Sequence, residues 1–124
     1  MSYRSPLGHA RGHGSAKAGT HHFWMQRVSA IALIPLTLWF VFSLARLPAG
    51  YDAVRWWVHA PTVAMALGIF ISCALYHSML GVQVVIEDYV GGEAAKLVWL
   101  IASKFVHALA GVAGVFAVLK IALT

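Results

Sequence analysis

His77 lies in the longest stretch of this chain free of Asp, Glu, Lys and Arg, which runs from Trp56 to Ile86. Asp88 and Tyr89 follow just beyond that stretch. An ionisable side chain at membrane depth is expensive to keep there, so it is read first as a functional group with a partner. For a neutral imidazole the obvious partner is a metal centre. The acid and the phenol stand where a substrate head group would dock. Asp88 comes eleven residues after His77, three helical turns on and close to the same face. One helix stripe would then carry an imidazole at depth and an Asp-Tyr pair at the rim.

A tyrosine phenol is a protonated hydrogen-bond donor at neutral pH. Donated to a quinone carbonyl, that hydrogen bond would fix the ring and stabilise negative charge as electrons arrive. Asp88 would position Tyr89 or feed protons through water. The plainer reading is an interfacial tyrosine beside a solvated acid, a common membrane-boundary arrangement.

The elements that must carry these residues are membrane helices. Of 124 residues, 60% are hydrophobic and 10% charged, against about 25% charged in a soluble domain. A backbone in hydrocarbon must satisfy its own hydrogen bonds, which leaves helices or closed barrels. The alternation of barrel strands is absent. The fold class is therefore all-α, with three transmembrane helices over about 27–47, 58–86 and 97–123. Residues 1–26 form an N-terminal tail and 27–124 the membrane domain. Pro35 would kink the first span, and Pro61 starts the second, where a missing N–H is tolerated. Pro48-Ala49-Gly50 and Gly91-Gly92 supply turn chemistry.

A net charge of +5 does not indicate nucleic acid, because the basic residues mostly flank apolar spans. Counting Lys and Arg, as the positive-inside rule requires, places Arg4, Arg11, Lys17 and Arg27 inside, together with the second loop. Arg46 and Arg55 mark the outer loop, and the C-terminus is outside. The single Cys73 excludes a disulfide framework.

A haem held by two imidazoles needs two histidines at matching depth. His77 lies roughly 14 Å from the inner end of its span and His107 roughly 15 Å from the inner end of its own, at 1.5 Å per residue. One chain would supply both ligands, or two chains one each. Cys73 and Gly81, at i−4 and i+4 from His77, keep small groups above and below its ring. His107, with Lys104 and Gly111 nearby, is a competitor. A membrane histidine also serves plain helix-to-helix hydrogen bonding. His59 reads as a boundary residue. His9, His13, His21 and His22 are too irregularly spaced to argue for a metal site. Arg27 either snorkels to the surface or pairs its planar fork with a cofactor carboxylate.

These residues resemble the small hydrophobic membrane-anchor subunits of bacterial succinate dehydrogenase (complex II, succinate:quinone oxidoreductase). Two stretches carry the resemblance: Gly19-Thr20-His21-His22-Phe23-Trp24-Met25-Gln26-Arg27-Val28, and His77 to Val90, whose His-x(10)-Asp-Tyr spacing ends the second of three spans. It covers the whole chain in span number, order and length, with the third span matching in character only.

The resemblance implies packing with a second anchor (cytochrome b) subunit into a haem-binding helical bundle. His77 would be one axial ligand to the iron of haem b, with the other ligand from the partner anchor. Arg27 would lie near the haem propionates. Tyr89 would donate to a carbonyl of ubiquinone, with Asp88 beside it. His21 matches a family position, and His107 has none. A flavoprotein subunit and an iron–sulfur subunit would oxidise succinate and deliver electrons. This chain, with one cysteine and no dinucleotide-binding glycine pattern, carries neither centre and is not catalytic alone. The implied location is the bacterial inner (plasma) membrane, with a cytoplasmic N-terminus and periplasmic C-terminus. The rival readings are a self-contained bis-histidine cytochrome using His77 and His107, the anchor of a quinol:fumarate reductase, and a cofactor-free assembly factor.

Overall fold

A computed structural model describes residues 17–124 as four helices with no strand among them. They are α1 (Lys17–Arg46), α2 (Tyr51–Val58), α3 (Pro61–Tyr89) and α4 (Glu93–Leu123). The tail before residue 17, with Arg4, His9, Arg11 and His13, lies outside the described residues. Three helices are long and apolar enough to cross a membrane: Gly19–Arg46 within α1, Pro61–Tyr89 and Glu93–Leu123. The chain is an all-α membrane protein.

The helices differ from the apolar spans at their ends. α1 begins ten residues before Arg27, because Lys17, Ala18, Met25 and Gln26 are good helix formers and no breaker separates them from the apolar run. Hydropathy does not register these nearly three polar turns of helix, which carry His21, His22 and Gln26. Trp57 and Val58 close α2 instead of opening α3. The break comes from Pro61, which holds Ala60 extended (φ −67°, ψ 121°) and then serves as the first helical residue. α3 runs without interruption through Asp88 and Tyr89, and Val90 caps it by donating to Ile86 O at 3.0 Å. Gly50 (φ 141°) and Gly92 (φ 83°) occupy the left-handed region at the α1–α2 and α3–α4 turns, where a Cβ would be strained.

α3 is the middle of the molecule. α1 and α4 both pack on it and do not approach each other, while α2 lies across α3 and α4. Trp57 of α2 stacks on Trp39 of α1 at 5.8 Å, and Phe40 of α1 stacks on Phe70 of α3 at 5.0 Å. These contacts join three helices at the end where α1 turns into α2. On the other side of α2, Tyr51 and Trp56 are exposed, as residues of an interfacial aromatic belt are.

Three helices in a row enclose little. Val58, Leu67, Leu80 and Ile86 are the buried hydrophobics among the described residues, whereas Ile31, Leu109, Val112 and Phe116 are each about two-thirds exposed or more. Lipid and partner chains must cover these surfaces.

Within the row, α4 approaches α3 over glycines, as membrane helices do when small residues let backbones come close. A Cβ at Gly114 would meet Ile71 Cγ2 at 3.1 Å, and one at Gly111 would meet Leu75 Cδ1 at 3.6 Å. Gly114→Leu is therefore expected to destabilise the protein by about 1–3 kcal/mol through overpacking, read as a lower melting temperature in detergent. Gly68→Ala, where nothing lies within 4 Å, should leave that temperature unchanged or raise it.

Candidate functional site

The site is assembled where α1 crosses α3. Ser29, 7% exposed, is the buried polar residue of the described chain. Its hydroxyl lies 2.7 Å from Met25 O, 3.1 Å from Gln26 O and 2.9 Å from His77 Nδ1. A hydroxyl has one proton and main-chain carbonyls only accept, and the shortest of the three contacts is the one to Met25 O, so we assign that proton there. With that assignment the Ser29 oxygen accepts from His77, and the imidazole proton sits on Nδ1. His77 Nε2 consequently keeps its lone pair. A histidine whose one ring nitrogen is held by such a bond is oriented to ligate with the other.

His77 borders two adjoining depressions on this face, with Ala30 common to both. The outer one, about 390 Å³, is lined by Leu33, Ile34, Thr37 and Leu38. The inner one, about 510 Å³, is lined by His22, Gln26, Arg27 and Gly81 among others. The first is almost wholly apolar; the second is also mainly apolar but carries the polar side chains of His22, Gln26 and Arg27 toward the N-terminal end of α1. Arg27 is exposed, and its guanidinium carbon stands 5.1 Å above the Phe23 ring, a cation–π contact that holds it at the rim. Two polar atoms here are buried without a hydrogen-bond partner, His22 Nε2 and Gln26 Oε1.

The structure thus brings His77 and Arg27 together and sets Asp88 and Tyr89 apart. The latter two end α3 beyond the site, about 17 Å along the helix from His77 at 1.5 Å per residue. Both are exposed, Tyr89 at 84%, and this chain builds no pocket around them among the described residues. Gly81 shares the depression with His77. Cys73 instead lines an apolar groove of about 630 Å³ between the outer halves of α3 and α4, with His59, Val115 and Leu119. The pair of small residues around His77 is therefore split between two surfaces.

His107 is engaged differently. Its Nδ1 lies 2.8 Å from Ser103 O, which can only accept, so Nδ1 carries the proton. Its Nε2 accepts from the Ser78 hydroxyl at 3.2 Å. Both ring nitrogens are occupied, and the side chain ties α4 to α3. Of the two deep histidines, His77 alone offers a free nitrogen, and no group of three or more His, Cys, Asp or Glu among the described residues is placed to hold a metal ion. Chemically, this chain can contribute one imidazole ligand to a shared centre.

Ser29, His22 and Gln26 are the site residues that sequence reasoning passed over. Ser29 carried a usable signal, a small polar residue within an apolar run two positions after Arg27, where interhelical hydrogen bonds are common. His22 and Gln26 lie in a stretch that carries the resemblance but were not placed at the site, because their helix begins before the apolar segment does.

The fold and site define a multi-pass helical membrane protein that presents one imidazole and a basic rim to whatever covers them. The chain belongs to the family described as succinate dehydrogenase/fumarate reductase transmembrane subunits, which it matches over residues 1–119. It is 38% identical over 117 residues to the succinate dehydrogenase hydrophobic membrane anchor subunit of Rickettsia bellii, covering 94% of each chain. It is 31% identical over 119 residues to the subunit of the same description from Paracoccus denitrificans, covering 89% of this chain and 92% of that one. The succinate dehydrogenase membrane anchor subunit of Reclinomonas americana is 36% identical over 93 residues, 66% of this chain and 72% of the relative. No solved structure matches.

Proposed function

We propose that this chain anchors a succinate:quinone oxidoreductase in the bacterial inner membrane, supplies one axial ligand to a shared haem b, and contributes to the ubiquinone-reduction site. The observation that carries the reading is the Ser29–His77 hydrogen bond, which leaves Nε2 free at membrane depth. A second anchor subunit provides the other ligand, since His107 is committed to Ser78 and Ser103. The same commitment disfavours a self-contained cytochrome using both histidines.

The residues present fit a haem. A flat apolar macrocycle with acidic side chains on one edge matches an imidazole between two mainly apolar depressions, one of which carries His22, Gln26 and Arg27. Ala30 and Gly81 leave room beside the ring: a Cβ at Gly81 would meet only Gln26 Nε2, at 3.8 Å. Arg27 holds a carboxylate at the rim. When bound, haem b supplies a one-electron site within the membrane.

Tyr89 donates its phenolic hydrogen to a ubiquinone carbonyl, fixing the ring and stabilising charge as electrons reach it. Asp88, beside Tyr89 and exposed to water, passes protons toward that oxygen. The quinone pocket is completed by partner chains, consistent with the exposure of Tyr89. An iron–sulfur subunit on the cytoplasmic side delivers the electrons, and a flavoprotein subunit oxidises succinate. The N-terminus is cytoplasmic and the C-terminus periplasmic, following the Lys and Arg distribution.

The test is to purify the assembly through a tag on this chain and record its reduced-minus-oxidised spectrum. Copurification of three further polypeptides with a low-spin b-type haem is expected. Isolation without those partners and without haem overturns the reading. In the same preparation Ser29→Ala is expected to weaken haem retention about 10–100-fold, as loss of a partner of a ligating histidine typically does. Ser29→Thr, which keeps the hydroxyl, should retain haem.

A further inference from the structure

His22 Nε2 and Gln26 Oε1 are buried with nothing to bond, and both side chains line the depression that holds Arg27 and His77. Buried polar atoms are almost always satisfied, and each exception calls for an explanation. Here the two orphans share one cavity and one helix face, four residues apart. Their levels are informative. Ser29 marks the height of the His77 ring on α1. Gln26 lies about 4.5 Å inward of it and His22 about 10.5 Å inward, at 1.5 Å per residue. The polar atoms thus begin one turn below the free nitrogen and continue toward the inner surface, the direction in which acidic side chains must point to reach water.

An imidazole Nε2–H is a donor, and a half-turn of the Gln26 amide presents its NH2 at the same place. With Arg27, three donors then line the inner depression. A single guanidinium satisfies one carboxylate in a bidentate fork, and Arg27 is exposed, whereas Gln26 reaches toward Gly81 of α3 and His22, half-buried, lines the same depression. The chemistry this arrangement recognises is a second carboxylate on the same rigid body.

We infer that His22 and Gln26 form a hydrogen-bonding clamp for a haem carboxylate beyond the one held by Arg27; this rests on the haem reading above. The two are positioning residues. They fix the acidic edge and so set the tilt of the macrocycle on His77, and they offset negative charge that opposes the arrival of an electron.

The experiment is redox-difference infrared spectroscopy on the intact complex carrying haem labelled with carbon-13 at its carboxyl carbons. The native chain is compared with His22→Leu, Gln26→Leu and Gln26→Asn, the last keeping the amide while withdrawing it. The expected result is a shift of the label-sensitive carboxylate bands in each variant, with a lower haem midpoint potential and an unchanged low-spin absorption spectrum. Label-sensitive bands identical to native in all three variants, with haem retained, overturn the clamp and leave water as the partner of both atoms. A native complex devoid of haem removes the clamp by a different route, because the proposed function itself then fails before any variant is compared.

Discussion

Replacing His77 with leucine is expected to abolish the b-type haem spectrum of the purified complex, whereas His107→Leu should leave it in place. The asymmetry follows from hydrogen bonding and not from depth, since the two side chains lie at nearly the same level and are linked through neighbouring residues of α3. Ser29 accepts from His77 Nδ1 and leaves Nε2 with its lone pair. Ser103 and Ser78 take both nitrogens of His107. His77→Leu removes the ligand and keeps apolar bulk in the membrane, so helix insertion should survive. His107→Leu breaks one contact between α3 and α4, whose expected worth in a membrane averages about 0.6 kcal/mol. Reduced-minus-oxidised spectra of both variants, normalised to copurified polypeptides, check the contrast.

Tyr89→Phe is expected to lower succinate-driven ubiquinone reduction by about 10²–10³-fold if its hydrogen bond acts as a preorganised donor to developing negative charge. Succinate oxidation with a water-soluble electron acceptor should stay near the native rate, because that path ends before the membrane. Phenylalanine keeps the ring and removes only the phenolic hydrogen. Tyr89 is 84% exposed in this chain, so the substitution disturbs no packing within it. The change therefore falls on what the partner subunits place against that surface. Parallel assays with the two acceptors check this, and equal losses in both would place the defect in assembly.

Much of this was legible in the residues. Spans of this length, with so few charges, leave no alternative to helices in a membrane. Pro61 marks the start of α3, and Gly50 and Gly92 mark the turns, because backbone geometry at those positions admits few other residues. The separation of His77 and Asp88 could be read as one stripe because α3 does persist through Tyr89. The inner end of α1 was not legible: hydropathy reports where a helix enters lipid, not where it begins, and residues 17–26 are polar enough to pass for a tail. The hydrogen bonding of the two deep histidines was not legible from the residues themselves. Both sit beside small residues on apolar helices, and what separates them is which serine each one meets across an interface. Ser29 lies 48 positions from His77 in sequence, so only the packing of α1 on α3 brings them together.

The row-like packing leaves the depressions around His77 open. α1 and α4 flank α3 without touching, and both depressions are lined by residues of α1 and α3 alone. The proposed shared haem needs such an opening for a ligand from a neighbouring chain.

The most direct measurement is the density around the His77 imidazole in a structure of the intact complex. The account predicts iron of a porphyrin at bonding distance from Nε2, a second imidazole from the other anchor on the opposite axial position, and Ser29 still accepting from Nδ1. A His77 ring that meets only lipid or protein side chains, with the porphyrin absent or ligated elsewhere, would contradict it.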